Sequence, residues 1–166
     1  VINEAHLVLL GPPGSGKSTF INHLAFVLAN HNIEPESGWI EQLPGWPEKQ
    51  EKLLPIPIVL REVATWFQIT QHPQRKVGLL NAYIKHWLEQ MGLSDFYPVL
   101  SEHLSNGSAI LLLDGLDEVP VLHDVLERIK ETISDLPIAY PKTPTVVTCR
   151  VLSYQEPRWN LDSTRW

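Results

Sequence analysis

The chain has 166 residues with a formal net charge of −6, one cysteine and 43% hydrophobic residues. That length fits a single domain able to bury a substantial core, and the acidic balance leaves no broad basic face, which argues against nucleic acid as the principal ligand. A lone Cys149 excludes an internal disulfide, no run is long enough to span a bilayer, and no charged-then-apolar leader opens the chain, so a reducing cytoplasmic setting without membrane insertion is expected.

The first element is HLVLL, His6 to Leu10, an apolar run that reads as a buried strand ending at Gly11. GPPGSGKST follows, and Lys17 to Ala29 then reads as a helix with Phe20, Ile21, Leu24, Val27 and Leu28 at helical spacing. Strand, glycine-rich loop and helix in that order are the context a phosphate-binding P-loop requires. Gly11, Pro12, Pro13, Gly14, Ser15 and Gly16 form the loop, whose backbone N–H groups can converge on one anion at a helix N-terminus. Lys17 is expected to reach the β- and γ-phosphates, Ser18 to offer its hydroxyl to Mg²⁺, and Thr19 to cap the helix or contact the α-phosphate.

Residues 30–55, rich in proline, glutamate and tryptophan, read as a long loop ordered in places and packed to the body by Trp39 and Trp46. IPIVL, Ile56 to Leu60, has the composition of an interior parallel strand. Arg61 at its mouth would either approach a nucleotide or pair with Glu62. GLLNAYIKHWLEQMGL sets Leu80, Tyr83, Ile84, Trp87, Leu88 and Met91 on one helical stripe taken as core, and Ser94 reads as the N-cap of a helix through His103.

AILLLD, Ala109 to Asp114, is the third strand, Val121 to Leu136 an amphipathic helix, and TVVTCR, Thr145 to Arg150, the fourth strand. Apolar strands alternating with helices predict an α/β fold with a parallel sheet covered on both faces. In ILLLDGLDEV the strand delivers Asp114 to the carboxyl end of the sheet, where open α/β folds bind ligands. Such an aspartate alone is better explained as an ordinary helix N-cap. With the phosphate loop it is placed to hold Mg²⁺ opposite Ser18, and Asp117 or Glu118, Glu118 by preference, would orient the water that attacks the γ-phosphate. Arg150 is either a reporter on the γ-phosphate or a surface arginine after a strand. Cys149 reads as a small buried side chain, and the scattered histidines show no metal-ligand spacing.

GPPGSGKST, LREVA, LLLDGLDEV and VVTCR together resemble the successive motifs of the NACHT domain, a branch of the STAND class of P-loop ATPases, and LPGWP with LLPIPIVLREVA resembles its bacterial signalling and defence modules. The resemblance implies a three-layer αβα sandwich with strand order 2-3-4-1 and a fifth strand beyond the first. It implies ATP/ADP with Mg²⁺ as ligands, slow hydrolysis, and a homo-oligomer in the ATP state of the full-length protein. Family members continue into a helical lid and a winged helix, so the sequence is expected to be a truncated nucleotide-binding piece of a larger protein. No Asn-Lys-x-Asp guanine motif occurs. A phosphotransferase would need an arginine-rich lid that is not visible, and a non-hydrolysing scaffold would not need the acidic cluster that is present.

Overall fold

In the computed structural model, which describes residues 6–122, 124–161 and 166, four strands form one wholly parallel sheet in the order β1-β4-β3-β2. The strands are β1 (His6–Gly11), β2 (Leu54–Val59), β3 (Ala109–Asp114) and β4 (Thr145–Arg150). Between them run α1 (Lys17–Ile33), α2 (Leu60–Thr70), α3 (Val77–Gln90), α4 (Tyr97–Asn106) and α5 (Val125–Ala139), with a short α6 (Val151–Tyr154) after β4.

The central strand shows why the sheet is covered twice. Side chains alternate across a strand. Ile110 and Leu112 therefore join Ile21, Leu24 and Leu28 of α1, while Leu111 and Leu113 enter the larger cluster built by α2, α3, α4 and α5. All four are almost completely buried, which is what a near-continuous apolar strand of a parallel sheet provides.

The edges are different. The composition of β2 reads as that of an interior strand, whereas the order 2-3-4-1 puts strand 2 at an edge; β2 lies at an edge, and its prolines give the reason. The Leu54 N–H donates to the Ser108 carbonyl on the β3 side at 2.9 Å. Pro55 and Pro57, one residue out of phase, then lack their N–H on the side away from β3, where no ladder bond is required. The strand also begins earlier, at Leu54, and Leu60 already belongs to α2. β1 occupies the other edge and is only half-buried along most of its length, rather than buried as its apolar sequence suggests, because it has one neighbouring strand.

Several helices differ from their sequence outlines. α1 continues to Ile33, and Phe20 is turned away from its buried stripe at 42% exposure. α2 was not read as a helix; it buries Leu60, Val63, Ala64 and Phe67, a helical i, i+3, i+4, i+7 set. The helix expected from Val121 starts at Val125, because Pro120 to Leu122 run as a connection, and it continues to Ala139 with Pro137 in its last turn; His123 lies outside the described residues. Met91 is the C-terminal cap of α3 and is 54% exposed, so the core stripe stops at Leu88. Ser94 opens a 3-10 turn, Ser94–Phe96, that leads into α4.

The 30–55 connection carries three 3-10 turns, Pro35–Ser37, Trp39–Gln42 and Glu48–Gln50. Trp39 meets the Phe26 ring edge-on at 5.4 Å, and the Trp46 indole donates to the Gln50 carbonyl at 3.0 Å, so both tryptophans do pack the segment to the α1 side. After α6 the chain makes one more 3-10 turn, Pro157–Trp159, and 162–165 of the tail SYQEPRWNLDSTRW lie outside the described residues. Among the described residues no helix is long and apolar enough to cross a membrane.

Candidate functional site

Parallel strands bring all their carboxyl ends to one rim, and register then decides which residues meet there. Gly11 is paired with Arg150, and Val59 with Asp114. The rim opens into a cleft of about 280 Å³ lined by Pro13 through Thr19 on one wall and by Asp114, Gly115, Asp117, Glu118, Thr148 and Arg150 on the other. Of the loop and acidic residues expected here from the sequence, Gly11 and Pro12 do not line it, Gly11 being the last residue of β1, and neither does Arg61.

The wall made by the glycine-rich loop is set by backbone conformation. Gly16 caps α1 with φ +83°, the left-handed region where a Cβ is strained, and the Phe20 N–H donates back to its carbonyl at 2.8 Å to begin the helix. No side chain caps this N-terminus, so its first N–H groups face the cleft with their partial positive charge available to an anion. Lys17 folds over its own loop, its Nζ donating to the carbonyls of Gly11 at 2.9 Å and Pro12 at 3.1 Å and to Ser15 Oγ at 3.4 Å. A phosphate entering the cleft would compete with these neutral acceptors on favourable terms, since charge-assisted bonds are the stronger ones.

The acidic wall is braced from β4. Thr148, fully buried, donates its hydroxyl to Asp114 Oδ1 at 2.5 Å and accepts the Gly115 N–H at 2.8 Å, so one side chain fixes both the carboxylate and the turn that follows it. Gly115, at φ +79°, turns the chain into the 3-10 turn Leu116–Glu118, whose Leu116 is buried. That plug sends the two carboxylates apart. Asp117 is turned inward, its side chain 5% exposed, and accepts the Arg150 backbone N–H at 2.9 Å on Oδ1 and the Arg150 Nε at 2.9 Å on Oδ2. Glu118 points outward at 40% exposure, with Oε2 3.3 Å from Arg61 Nη1.

Arg61 thus pairs with Glu118, and the local partner considered from the sequence, Glu62, is engaged elsewhere: it accepts a hydrogen bond from the Tyr83 hydroxyl at 3.4 Å. Burial and the adjacent Glu62 charge push the Tyr83 phenol up to about 12, so it remains a donor across the physiological range.

Thr148 is the site residue that sequence reasoning passed over; a threonine within an apolar strand gives no sign of its function unless the facing strand is known. Cys149, next to it, is a free and buried thiol raised to about 12, first by desolvation and then by the Asp117 charge. Its raised value favours the folded chain fully below the ordinary thiol range, a contribution lost as pH rises through that range toward 12. We expect no reaction with a water-soluble maleimide at pH 8 in buffer and stoichiometric reaction in guanidinium; labelling of the folded chain at the rate of a free thiol would contradict this.

For Mg²⁺ the donors fit in chemistry: Asp114 and Ser18 line the same cleft, and Thr148 engages one of the two carboxylate oxygens. Among the described residues no group of three or more His, Cys, Asp or Glu side chains forms a metal cage. Compared with models of known families, with curated proteins and with solved structures, the chain matches none.

Proposed function

We propose that this chain is a Mg²⁺-dependent ATP-binding module of P-loop type that hydrolyses ATP slowly, the nucleotide switch of a NACHT-like signalling or defence protein. The observation that carries the reading is the convergence, in one cleft at the carboxyl rim of a parallel sheet, of a helix N-terminus with Lys17 on one wall and three carboxylates with Arg150 on the other. The strand order, read from β2 as β2-β3-β4-β1, and the helices on both faces support the three-layer P-loop sandwich.

In this reading the loop N–H groups and Lys17 hold the β- and γ-phosphates, and Thr19 lies toward the α-phosphate. Ser18 and Asp114 hold Mg²⁺, which when bound neutralises charge on the phosphate oxygens. Glu118, solvent-facing on the cleft wall, orients the attacking water and takes its proton. Asp117 serves as the anchor of Arg150, whose Nη groups stay available to a γ-phosphate oxygen. ATP-driven homo-oligomerisation belongs to the same proposal.

The test combines titration with a fluorescent ATP analogue, with and without Mg²⁺, and phosphate release. Asp114→Asn is expected to lose most of the Mg²⁺-dependent part of the affinity. Glu118→Gln is expected to bind normally and to lose at least about a hundredfold in turnover, within the range a positioned general base contributes. Wild-type chain that ignores ATP at millimolar concentration would end this reading.

A further inference from the structure

Residues 89–102, EQMGLSDFYPVLSE, turn the corner from α3 into α4 and contain no lysine, arginine or histidine. Met91, Leu93, Phe96 and Val99 stand on that corner between 38% and 54% exposed. Single apolar side chains scattered over a surface are ordinary, whereas several large ones gathered on one corner mark a contact surface. The backbone holds them out. α3 closes with Gly92 at φ +71°, its N–H donating to the Glu89 carbonyl at 3.0 Å and the Leu93 N–H to the Leu88 carbonyl at 2.8 Å, the paired bonds of a Schellman motif. The Leu93 carbonyl then accepts the Phe96 N–H at 3.0 Å where the Ser94–Phe96 turn begins, and Pro98 stiffens the first turn of α4. A 3-10 turn eclipses positions three apart and an α-helix brings them close, so Leu93, Phe96 and Val99 fall in one row roughly 10 Å long.

The charges on this segment are Glu89, Asp95 and Glu102, all exposed. The basic side chains nearest in sequence are engaged: Lys85 Nζ lies 4.6 Å from the centre of the Tyr97 ring, and His103 Nδ1 lies 2.7 Å from Ser108 Oγ. We propose that the corner is a docking surface for a basic amphipathic helix of a partner protein, whose apolar stripe covers Met91, Leu93, Phe96 and Val99 while its Lys or Arg side chains meet the three carboxylates. Charge decides among the occupants. An anionic membrane surface or a nucleic acid would be repelled here, and a second copy of a chain with net charge −6 would bring the same acids against each other. A helix with anchors at i, i+3 or i+4 and i+7 spans roughly the same 10 Å as the row. The stiff corner costs little further ordering on binding, and the flexible Met91 thioether can adapt to the anchors. None of these residues lines the nucleotide cleft, so the inference stands apart from the nucleotide reading.

The experiment titrates the full chain into a short fluorescein-labelled Leu/Lys peptide of helical period, the same peptide with Glu for Lys, and a Leu/Lys peptide in alternating order. Expected is a Kd on the order of 10 μM for the helical Leu/Lys peptide, about tenfold weaker binding of the alternating one and none of the Leu/Glu one. Leu93→Ser with Phe96→Ser should weaken binding at least about tenfold, as should Asp95→Lys with Glu102→Lys. Ile69→Ser, which removes an exposed apolar side chain from α2, should change nothing. Thermal melts accompany each chain; if the serine pair melts early, the lysine pair, which removes no apolar group, carries the same test. No binding of the helical Leu/Lys peptide overturns the inference, as does equal binding of the Leu/Glu peptide. A Kd that the corner substitutions leave where it was overturns it too, since attraction to net negative charge alone would then explain the binding. Sedimentation in which wild type dimerises and the serine pair does not would put a second copy on the corner. Binding to phosphatidylserine vesicles that the serine pair abolishes would put a membrane there, and either result overturns the proposal.

Discussion

Replacing Lys17 by alanine should lower Mg-ATP affinity at least about a hundredfold, on the order of 3 kcal/mol, the scale of a charge-assisted contact to a multiply charged ligand. The ligand-free fold should hardly notice. The ammonium is satisfied by the carbonyls of Gly11 and Pro12 and by Ser15, in a loop whose residues are largely solvent-exposed and can rehydrate. The melting temperature without nucleotide should therefore match wild type, while the shift induced by Mg-ATP disappears. Isothermal or fluorescence titration alongside the two melts gives both numbers. Equal affinity for the variant and wild type would mean that the loop does not hold a triphosphate.

Asp117→Ala should do the reverse, acting first on stability. The carboxylate is nearly buried and accepts two bonds from Arg150, one of them charge-assisted. Its removal leaves a backbone N–H at the end of β4 without its acceptor and frees the guanidinium to solvent. With the half-exposed arginine able to rehydrate, the loss expected is about 2–3 kcal/mol, read as a lower denaturant midpoint at unchanged slope. Asp117→Asn should fall between, because the amide oxygen can still accept one of the two bonds. Should Asp117→Asn abolish turnover while leaving the denaturation midpoint where it was, Asp117 would be the base and its anchoring role would be secondary.

The parts of this site that could be read in the sequence are those whose chemistry is local. A strand running into GPPGSGKST and a strand running into DGLDE each announce their geometry within a dozen residues, and both expectations place their residues in the one cleft. The relation of Arg61 to Glu118 was not legible, since only the pairing of β2 with β3 brings those positions together. Nor was the division of labour between Asp117 and Glu118. It depends on Leu116 filling the core, which turns one carboxylate inward and leaves the next outside. α2 carried a helical burial pattern in Leu60, Val63, Ala64 and Phe67, but its first residue also completes the apolar run of β2, and that overlap hid the change of period. Phe20 and Met91 show the opposite error. They keep helical spacing with core residues while lying just beyond what the sheet and neighbouring helices cover.

Pro55 and Pro57 have a consequence for how this sheet can grow. A strand approaching β2 from outside would meet two positions without a donor, 6.5 Å or so apart along the chain by the rise of a strand, and could not close a ladder across them. β1 has no proline and, among the described residues, no strand on its outer side. Recruitment of a further strand, from whatever source, is thus directional: the polypeptide is closed to extension on the side of β2 and receptive on the side of β1, the strand that feeds the glycine-rich loop. Anything that docks there would lie against the six residues of backbone that run into the glycine-rich loop, so assembly on that edge and the set of the loop would be linked through one strand.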